Sequence, residues 1–221
     1  MTKQYRAVLF DMDGTLLDSY EANAGTGKII MERFGIAPLP GKPMRKFIGA
    51  PLEDTYGRWF RWEEGELERF IKEFRALYEE RKFLCAVYPG IFPLLEGLRR
   101  RGVKTAMATL KRHPYAQMLA ERFGLAGRLD WVQGRSPEDG IDTKADTVRA
   151  ALKRLGVEDP EEAALVGDSG LDLEGAREAG VDFIAVYYGF GFSHDPGDEA
   201  EETFCAAQAE TAEELAKLLL N

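Results

Sequence analysis

Two aspartates, Asp11 and Asp13, follow the apolar run YRAVLF, and two more, Asp168 and Asp172, follow the apolar run AALV. Between these pairs along the chain stand a hydroxyl, Thr109, at the end of another apolar run, and a lysine, Lys144, at the start of a helical pattern. A carboxylate cluster with one lysine and one hydroxyl is what Mg2+-assisted phosphoryl transfer requires. Mg2+ takes hard oxygen ligands, and the transferred group needs positive charge around it. A lone Asp-x-Asp-Gly is most simply an acidic turn. Here a second strand-to-helix turn carries two further acids, so a shared site is the better reading.

These groups meet only if the elements carrying them run side by side. Residues 5–10 read as a strand that stops at the polar turn Asp11-Met12-Asp13-Gly14. From residue 86 onward, strands alternate with helices. Helices are expected at 93–101, 114–123, 144–155, 171–179 and 211–220, and strands at 103–108, 129–132, 163–166 and 183–187. Pro114 and Gly124 bracket one helix, and Thr211 with Glu214 reads as a capping box. This alternation implies an α/β fold with a Rossmann-like, doubly wound parallel sheet, in which ligands bind beyond the carboxyl ends of the strands. Residues 16–84 break the rhythm with amphipathic helices at 20–34 and 66–83, the second carrying Leu67, Phe70, Ile71, Phe74, Leu77 and Tyr78. The expected organisation is a core of residues 1–15 and 86–221 with an inserted all-helical cap, residues 16–85.

The run VLFDMDGTLLDS (residues 8–19) resembles the first motif of the haloacid dehalogenase (HAD) superfamily. MATLKR resembles its second motif at Thr109, GIDTKADTV its third at Lys144, and LVGDSGLDLEGAREAGV its fourth, with Asp168 and Asp172. The resemblance implies a Mg2+-dependent phosphatase with a C1-type helical cap. Asp11 would be the nucleophile, forming an aspartyl phosphate, and Asp13 the general acid and then base. Thr109 and Lys144 would hold the phosphoryl oxygens, while Gly14 and Thr15 would bring backbone donors to the phosphate. The metal would sit on the Asp11 carboxylate, the Asp13 backbone carbonyl and Asp168, with Asp172 acting directly or through Ser169 or water. Many relatives carry Lys-Pro where this chain has Lys144-Ala145-Asp146, which leaves the start of that helix open. Asp13 also favours phosphate ester chemistry, because dehalogenases expel halide without a proton donor.

Substrate choice is expected from the cap. Lys42, Arg45 and Lys46 in GKPMRKFIGAP form a basic cluster suited to a second anionic group, and Lys111, beyond Thr109, is a further substrate contact. FIGAPLEDTY resembles the cap of phosphoglycolate phosphatases, so a small phosphate monoester of that kind is the leading substrate class. A 5′-nucleotidase or a sugar-phosphate phosphatase is the alternative. Trp59, Phe60 and Trp62 read as cap core, His113 as a loop-capping residue, and Tyr187-Tyr188-Gly189-Phe190-Gly191 as architecture.

The composition of the 221-residue chain is that of a globular protein, 45% hydrophobic and 30% charged. With 29 Lys+Arg against 38 Asp+Glu the net charge is −9, which disfavours nucleic acid and anionic membranes as partners; a small phosphorylated metabolite is the partner that the resemblance implies. No apolar run approaches the roughly 18 residues of a membrane span. Residues 1–6 are polar, and Cys85 and Cys205 form no metal-ligand spacing, so a cytoplasmic location with free thiols is expected. Oligomeric state is not readable. Two rivals lie outside the enzyme class, a phospho-acceptor signalling module and a non-catalytic binding protein. Receiver modules place their acceptor after the third strand and carry no large cap, and the full set of acids argues against a binding protein.

Overall fold

All four residues of β1 (Ala7–Phe10) are apolar and buried, as befits a central strand covered on both faces. The computed structural model describes residues 3–37, 43–195, 200 and 204–221. After β1 come β2 (Leu17–Asp18), a π-helical turn (Glu21–Gly25), α1 (Thr26–Arg33), a 3-10 turn (Met44–Phe47), α2 (Leu52–Trp59) and α3 (Glu66–Arg81). The chain continues through β3 (Ala86–Val87), α4 (Ile91–Arg100), β4 (Lys104–Arg112), α5 (His113–Arg122), β5 (Trp131–Arg135) and α6 (Lys144–Leu155). It ends with β6 (Ala163–Gly167), α7 (Gly170–Ala179), β7 (Asp182–Val186), β8 (Cys205–Ala209) and α8 (Ala212–Leu220).

Among the described residues six strands form one sheet in the order β5-β4-β1-β6-β7-β8, and every neighbouring pair is parallel. The two-residue alternation of a strand divides its side chains between two cores. Val8 and Phe10 pack with Leu94 and Leu98 of α4, Leu119 of α5 and Leu215 of α8. Ala7 and Leu9 pack on the other face with Val148 and Leu152 of α6 and Leu173 and Ala176 of α7. This is the doubly wound α/β arrangement. Because β1 lies between β4 and β6, the winding reverses beside it and leaves a crevice at the carboxyl ends of these strands.

The chain divides into two compact units, Met1–Asp18 with Val87–Asn221, and Ser19–Ala86. The second is helical, built on Ile30, Met31, Phe47, Tyr56, Phe70, Ile71 and Phe74. Trp59 meets Phe47 edge-on at 4.6 Å and Trp62 lies 5.1 Å from Phe70, so these indoles belong to the packing of that unit. Among the described residues no helix is long and apolar enough to cross a membrane.

Several elements differ from the sequence expectation. α2 was not expected, since Pro51 and Gly57 flank and interrupt a short pattern; burial of Thr55 and Tyr56 holds it in place. β8 was missed because CAAQA has little intrinsic strand preference, and pairing with β7 supplies what propensity does not. β4 continues to Arg112, past the expected end at 108, with a shift in register between Thr109 and Arg112. β5 begins at Trp131, two residues late, because the Asp130 carboxylate accepts the Thr105 N–H at 2.8 Å before the strand starts. At α8, Thr211 accepts the Glu214 N–H at 3.1 Å, but the Glu214 carboxylate takes the Glu210 N–H at 2.9 Å, so the expected capping box is only half made.

Candidate active site

The Asp11 N–H donates to the Val166 carbonyl of β6 at 2.9 Å, so the ladder fixes the aspartate as it leaves β1. The chain turns at once through Gly14, whose φ of +89° an L side chain rarely adopts. A Cβ at Gly14 would also overlap the Asp168 carboxylate, so glycine is required here for space as well as conformation. The Gly14 N–H bonds the Leu17 carbonyl at 2.9 Å and the Thr15 N–H the Met12 carbonyl at 3.4 Å, so both amides serve the turn itself. The Thr15 hydroxyl is the one buried side-chain polar atom among the described residues that has no hydrogen-bond partner.

Two helix starts deliver the remaining groups. Ser169 caps α7 and Asp172 closes a capping box with it, which anchors the second acid pair at the end of β6. Asp172 Oδ2 accepts from Ser169 Oγ at 2.6 Å and from the Ser169 N–H at 3.1 Å. Thr143 and Asp146 form a second box at the start of α6, which makes Lys144 its first residue. The Lys144-Ala145-Asp146 departure is thus accounted for: an aspartate-based cap begins this helix without proline. Those capping bonds, with Arg149 nearby, hold the Asp146 carboxyl below its ordinary range.

The ends of β1, β6 and α6 converge. Lys144 Nζ lies 2.5 Å from Asp11 Oδ1 and 2.6 Å from Asp172 Oδ1, and all three side chains are buried. Asp168 is buried beside them, its Oδ2 accepting the N–H groups of Phe190 at 2.7 Å and Gly191 at 3.1 Å. Asp13 pairs with Lys111 at 3.1 Å. Thr109 is buried on β4, two positions beyond Met107, which faces Phe10 in the ladder. Its hydroxyl accepts the Lys111 N–H at 3.3 Å. Arg45 and Lys46 belong to the 3-10 turn of the helical unit, and Lys42 lies outside the described residues. His113 accepts the Gly134 N–H at 3.2 Å and so anchors the end of β5.

Burial dominates the electrostatics. It raises the Asp168 carboxyl to about 8, reinforced by Asp172 and Asp11 and only partly offset by the two N–H donors. It raises Asp11 to about 6 even though Lys144 pulls the other way, because that one lysine also serves Asp172. Burial alone would lower Lys144, but Asp11 and Asp172 together drive it up to about 12. Among the contacts described, three of the four buried carboxylates pair with two ammonium groups, Lys144 and Lys111, while Asp168 is held by backbone N–H groups, so the acids outnumber the cations.

Among the described residues, Asp11, Asp168 and Asp172 each offer a carboxylate oxygen within 4.8 Å of the others. The donor set is hard oxygen throughout, with no thiolate or imidazole, and it carries uncompensated charge. That chemistry fits Mg2+.

A model of haloacid dehalogenase-like hydrolases matches residues 8–186. The chain belongs to this family. This HAD-like hydrolase is 33% identical to the tyrosine-protein kinase PtkA of Mycobacterium tuberculosis over 186 residues, 83% of the chain and 62% of PtkA. It thus spans less than two thirds of that relative. It is 30% identical over 208 residues to phosphoglycolate phosphatase 1 of Pseudomonas aeruginosa, covering 90% of the chain and 75% of the relative. A 5′-nucleotidase of the same organism is 31% identical over 210 residues, 92% of each. The crystal structure of a predicted phosphatase from Clostridium acetobutylicum superposes with a TM-score of 0.84 at 30% identity, over 99% of both chains.

Sequence reading did not anticipate the amide clamp on Asp168 or the Lys111–Asp13 ion pair. The glycines of Gly189-Phe190-Gly191 were the available signal for the first, since close backbone approach to a side chain needs glycine. Nothing local signals the second.

Proposed function

We propose that this HAD-like hydrolase is a Mg2+-dependent phosphatase of small phosphate monoesters that works through an aspartyl phosphate on Asp11. The observation that carries this reading is the junction of Asp11, Lys144, Asp168 and Asp172 at the carboxyl ends of adjacent parallel strands. The carboxylates of Asp11 and Asp168 and the Asp13 backbone carbonyl would hold the metal, with Asp172 joining them directly or through Ser169 or water and its Oδ1 directing Lys144. Mg2+ supplies positive charge to the phosphoryl oxygens and to the anionic nucleophile when bound.

The chain's own groups divide the remaining work. An Asp11 carboxylate oxygen attacks phosphorus as the bond to the leaving oxygen breaks, and Asp13 gives that oxygen its proton. Asp13 then takes a proton from water, which attacks the aspartyl phosphate at phosphorus and releases inorganic phosphate with the Asp11 carboxylate restored. Lys144 and the Thr109 hydroxyl neutralise and orient the phosphoryl oxygens. Lys111 holds Asp13 in position, and the unpartnered Thr15 hydroxyl offers a further donor. The helical unit Ser19–Ala86 is the proposed cap, with Arg45 and Lys46 as candidates for a second anionic group of the substrate.

The test is hydrolysis of an aryl phosphate with and without Mg2+, with Asp11→Asn as the decisive variant; retention of full activity would sink the mechanism. A 2-phosphoglycolate-like substrate is the first choice, supported by the phosphoglycolate phosphatase likeness. Nucleoside monophosphates are the second, because the likeness to a 5′-nucleotidase spans 92% of both chains. A panel of 2-phosphoglycolate, nucleoside monophosphates, sugar phosphates, pyrophosphate and phosphotyrosine ranks them by kcat/KM. An Arg45→Ala variant with unchanged preference would remove that residue from the specificity site.

A further inference from the structure

The segment Tyr188–Phe192, after β7, holds both sides of the candidate active site. Phe190 and Gly191 donate their N–H groups to Asp168 Oδ2, at 2.7 and 3.1 Å, and the Phe192 N–H bonds the Asp168 backbone carbonyl at 2.7 Å. A Cβ at Gly189 would overlap the Asp168 side chain and the Gly14 carbonyl, and one at Gly191 the Asp168 carbonyl. The segment is therefore pressed against the carboxylate it binds. Its other end is pinned by Tyr188, whose hydroxyl donates to the Thr15 carbonyl, 173 residues away, at 3.1 Å. The Tyr188 ring meets Tyr88 edge-on at 4.9 Å, and the Tyr88 N–H bonds the Leu16 carbonyl at 3.2 Å.

We infer that Tyr188 is a positioning residue for metal binding: its bond to the Thr15 carbonyl locks the clamp on Asp168 to the loop that carries Asp11 and Asp13. Clamping Oδ2 with two amides leaves Oδ1 as the oxygen directed by the clamp, and a carboxylate fixed in one rotamer loses less freedom when it binds a cation. Groups that orient a metal ligand commonly alter affinity by about 10- to 100-fold when removed. Tyr188 acts one step further out, by a single neutral hydrogen bond, so the expected effect is smaller, roughly fivefold. The inference rests on the Mg2+-phosphatase reading and deepens it.

The experiment is titration of Mg2+ into wild-type protein and Tyr188→Phe by calorimetry, together with the Mg2+-induced rise in Tm and the Mg2+ dependence of aryl phosphate hydrolysis. Tyr188→Phe is expected to weaken Mg2+ binding and raise half-saturating Mg2+ by the same factor, with kcat at saturating Mg2+ nearly unchanged. Tyr5→Phe deletes a tyrosine hydrogen bond to Asp182 (2.9 Å) elsewhere in the core and is expected to leave Mg2+ affinity as it was. If Tyr188→Phe does not fold, Tyr88→Leu, which removes the ring bracing Tyr188, is read by the same titration. Wild-type Mg2+ affinity in a folded Tyr188 variant, or in Tyr88→Leu where that serves, overturns the inference. So does an equal loss in Tyr5→Phe. Absence of Mg2+ binding in the wild-type protein would instead overturn the phosphatase reading, so the two failures are distinguishable.

Discussion

Asp11 and Asp172 grip the same ammonium group, with Lys144 Nζ 2.5 Å from one and 2.6 Å from the other. One acid ends a strand and the other closes a helix cap, so the lysine ties β1, α6 and α7 together at their shared edge. It cannot neutralise both, and Asp168 adds a third buried carboxyl with no cation of its own among the contacts described.

The first consequence is a dependence of stability on pH in the absence of metal. Burial places Asp11 at about 6 and Asp168 at about 8 in the folded protein, against 3.8 for an unperturbed aspartate. Between about pH 4 and 8 the folded state therefore holds protons that the unfolded chain has released, and the stability contributed by these two groups falls as pH rises through that window. Thermal melts in EDTA should show Tm declining from pH 5 to 8, and Asp168→Asn should flatten the decline. Mg2+ should flatten it too, by supplying the missing positive charge. Equal slopes in wild type and Asp168→Asn would refute this account.

Asp13→Asn separates the two chemical roles assigned to the carboxylates. Without a proton donor, hydrolysis of alkyl phosphates should fall by about 10²- to 10⁴-fold. A nitrophenyl phosphate, whose leaving group departs as a stable anion, should still release its phenol in a first turnover. A burst measurement checks this, and equal losses on both substrates in the burst would deny Asp13 the acid role.

Gly14→Ala combines a strained positive φ with overlap on the Asp168 carboxylate. A residue held in such a backbone region costs on the order of 1–3 kcal/mol. Urea denaturation should show a loss of that size, and displacement of Asp168 should weaken Mg2+ binding in parallel. A stable variant with wild-type metal affinity would mean that the turn has room to relax.

Asp146→Ala tests the helix start that presents Lys144. Loss of the capping box should cost about 1 kcal/mol, a fall in Tm of roughly 2–4 °C for a chain of this size. Because Lys144 is the first residue of α6, kcat should fall by more than KM changes. Asp146→Asn, which retains a side-chain acceptor, should recover part of both.

The acids and the lysine that meet at the candidate site were legible in the sequence because their signature is local. Asp11, Asp13, Asp168 and Asp172 sit in strand-to-helix turns, and alternating apolar runs and helical patterns declare a parallel doubly wound sheet. The two capping boxes are three-residue relationships, so even the beginning of α6 at Lys144 was within reach. Relationships without a local signature were not. β8 exists because β7 offers an edge, while its own small residues have weak strand preference. The Lys111–Asp13 pair joins side chains 98 positions apart in numbering (111 − 13), and the Tyr188–Thr15 bond spans 173. Which oxygen of Asp168 is clamped, and which cation two acids share, depend on side-chain direction in a packed interior. The sequence alone singled out Asp11, Lys144, Asp168 and Asp172, which the structure brings together. Only tertiary packing decided how their charges and hydrogen bonds are divided, because burial and proximity, rather than residue type, set those energies.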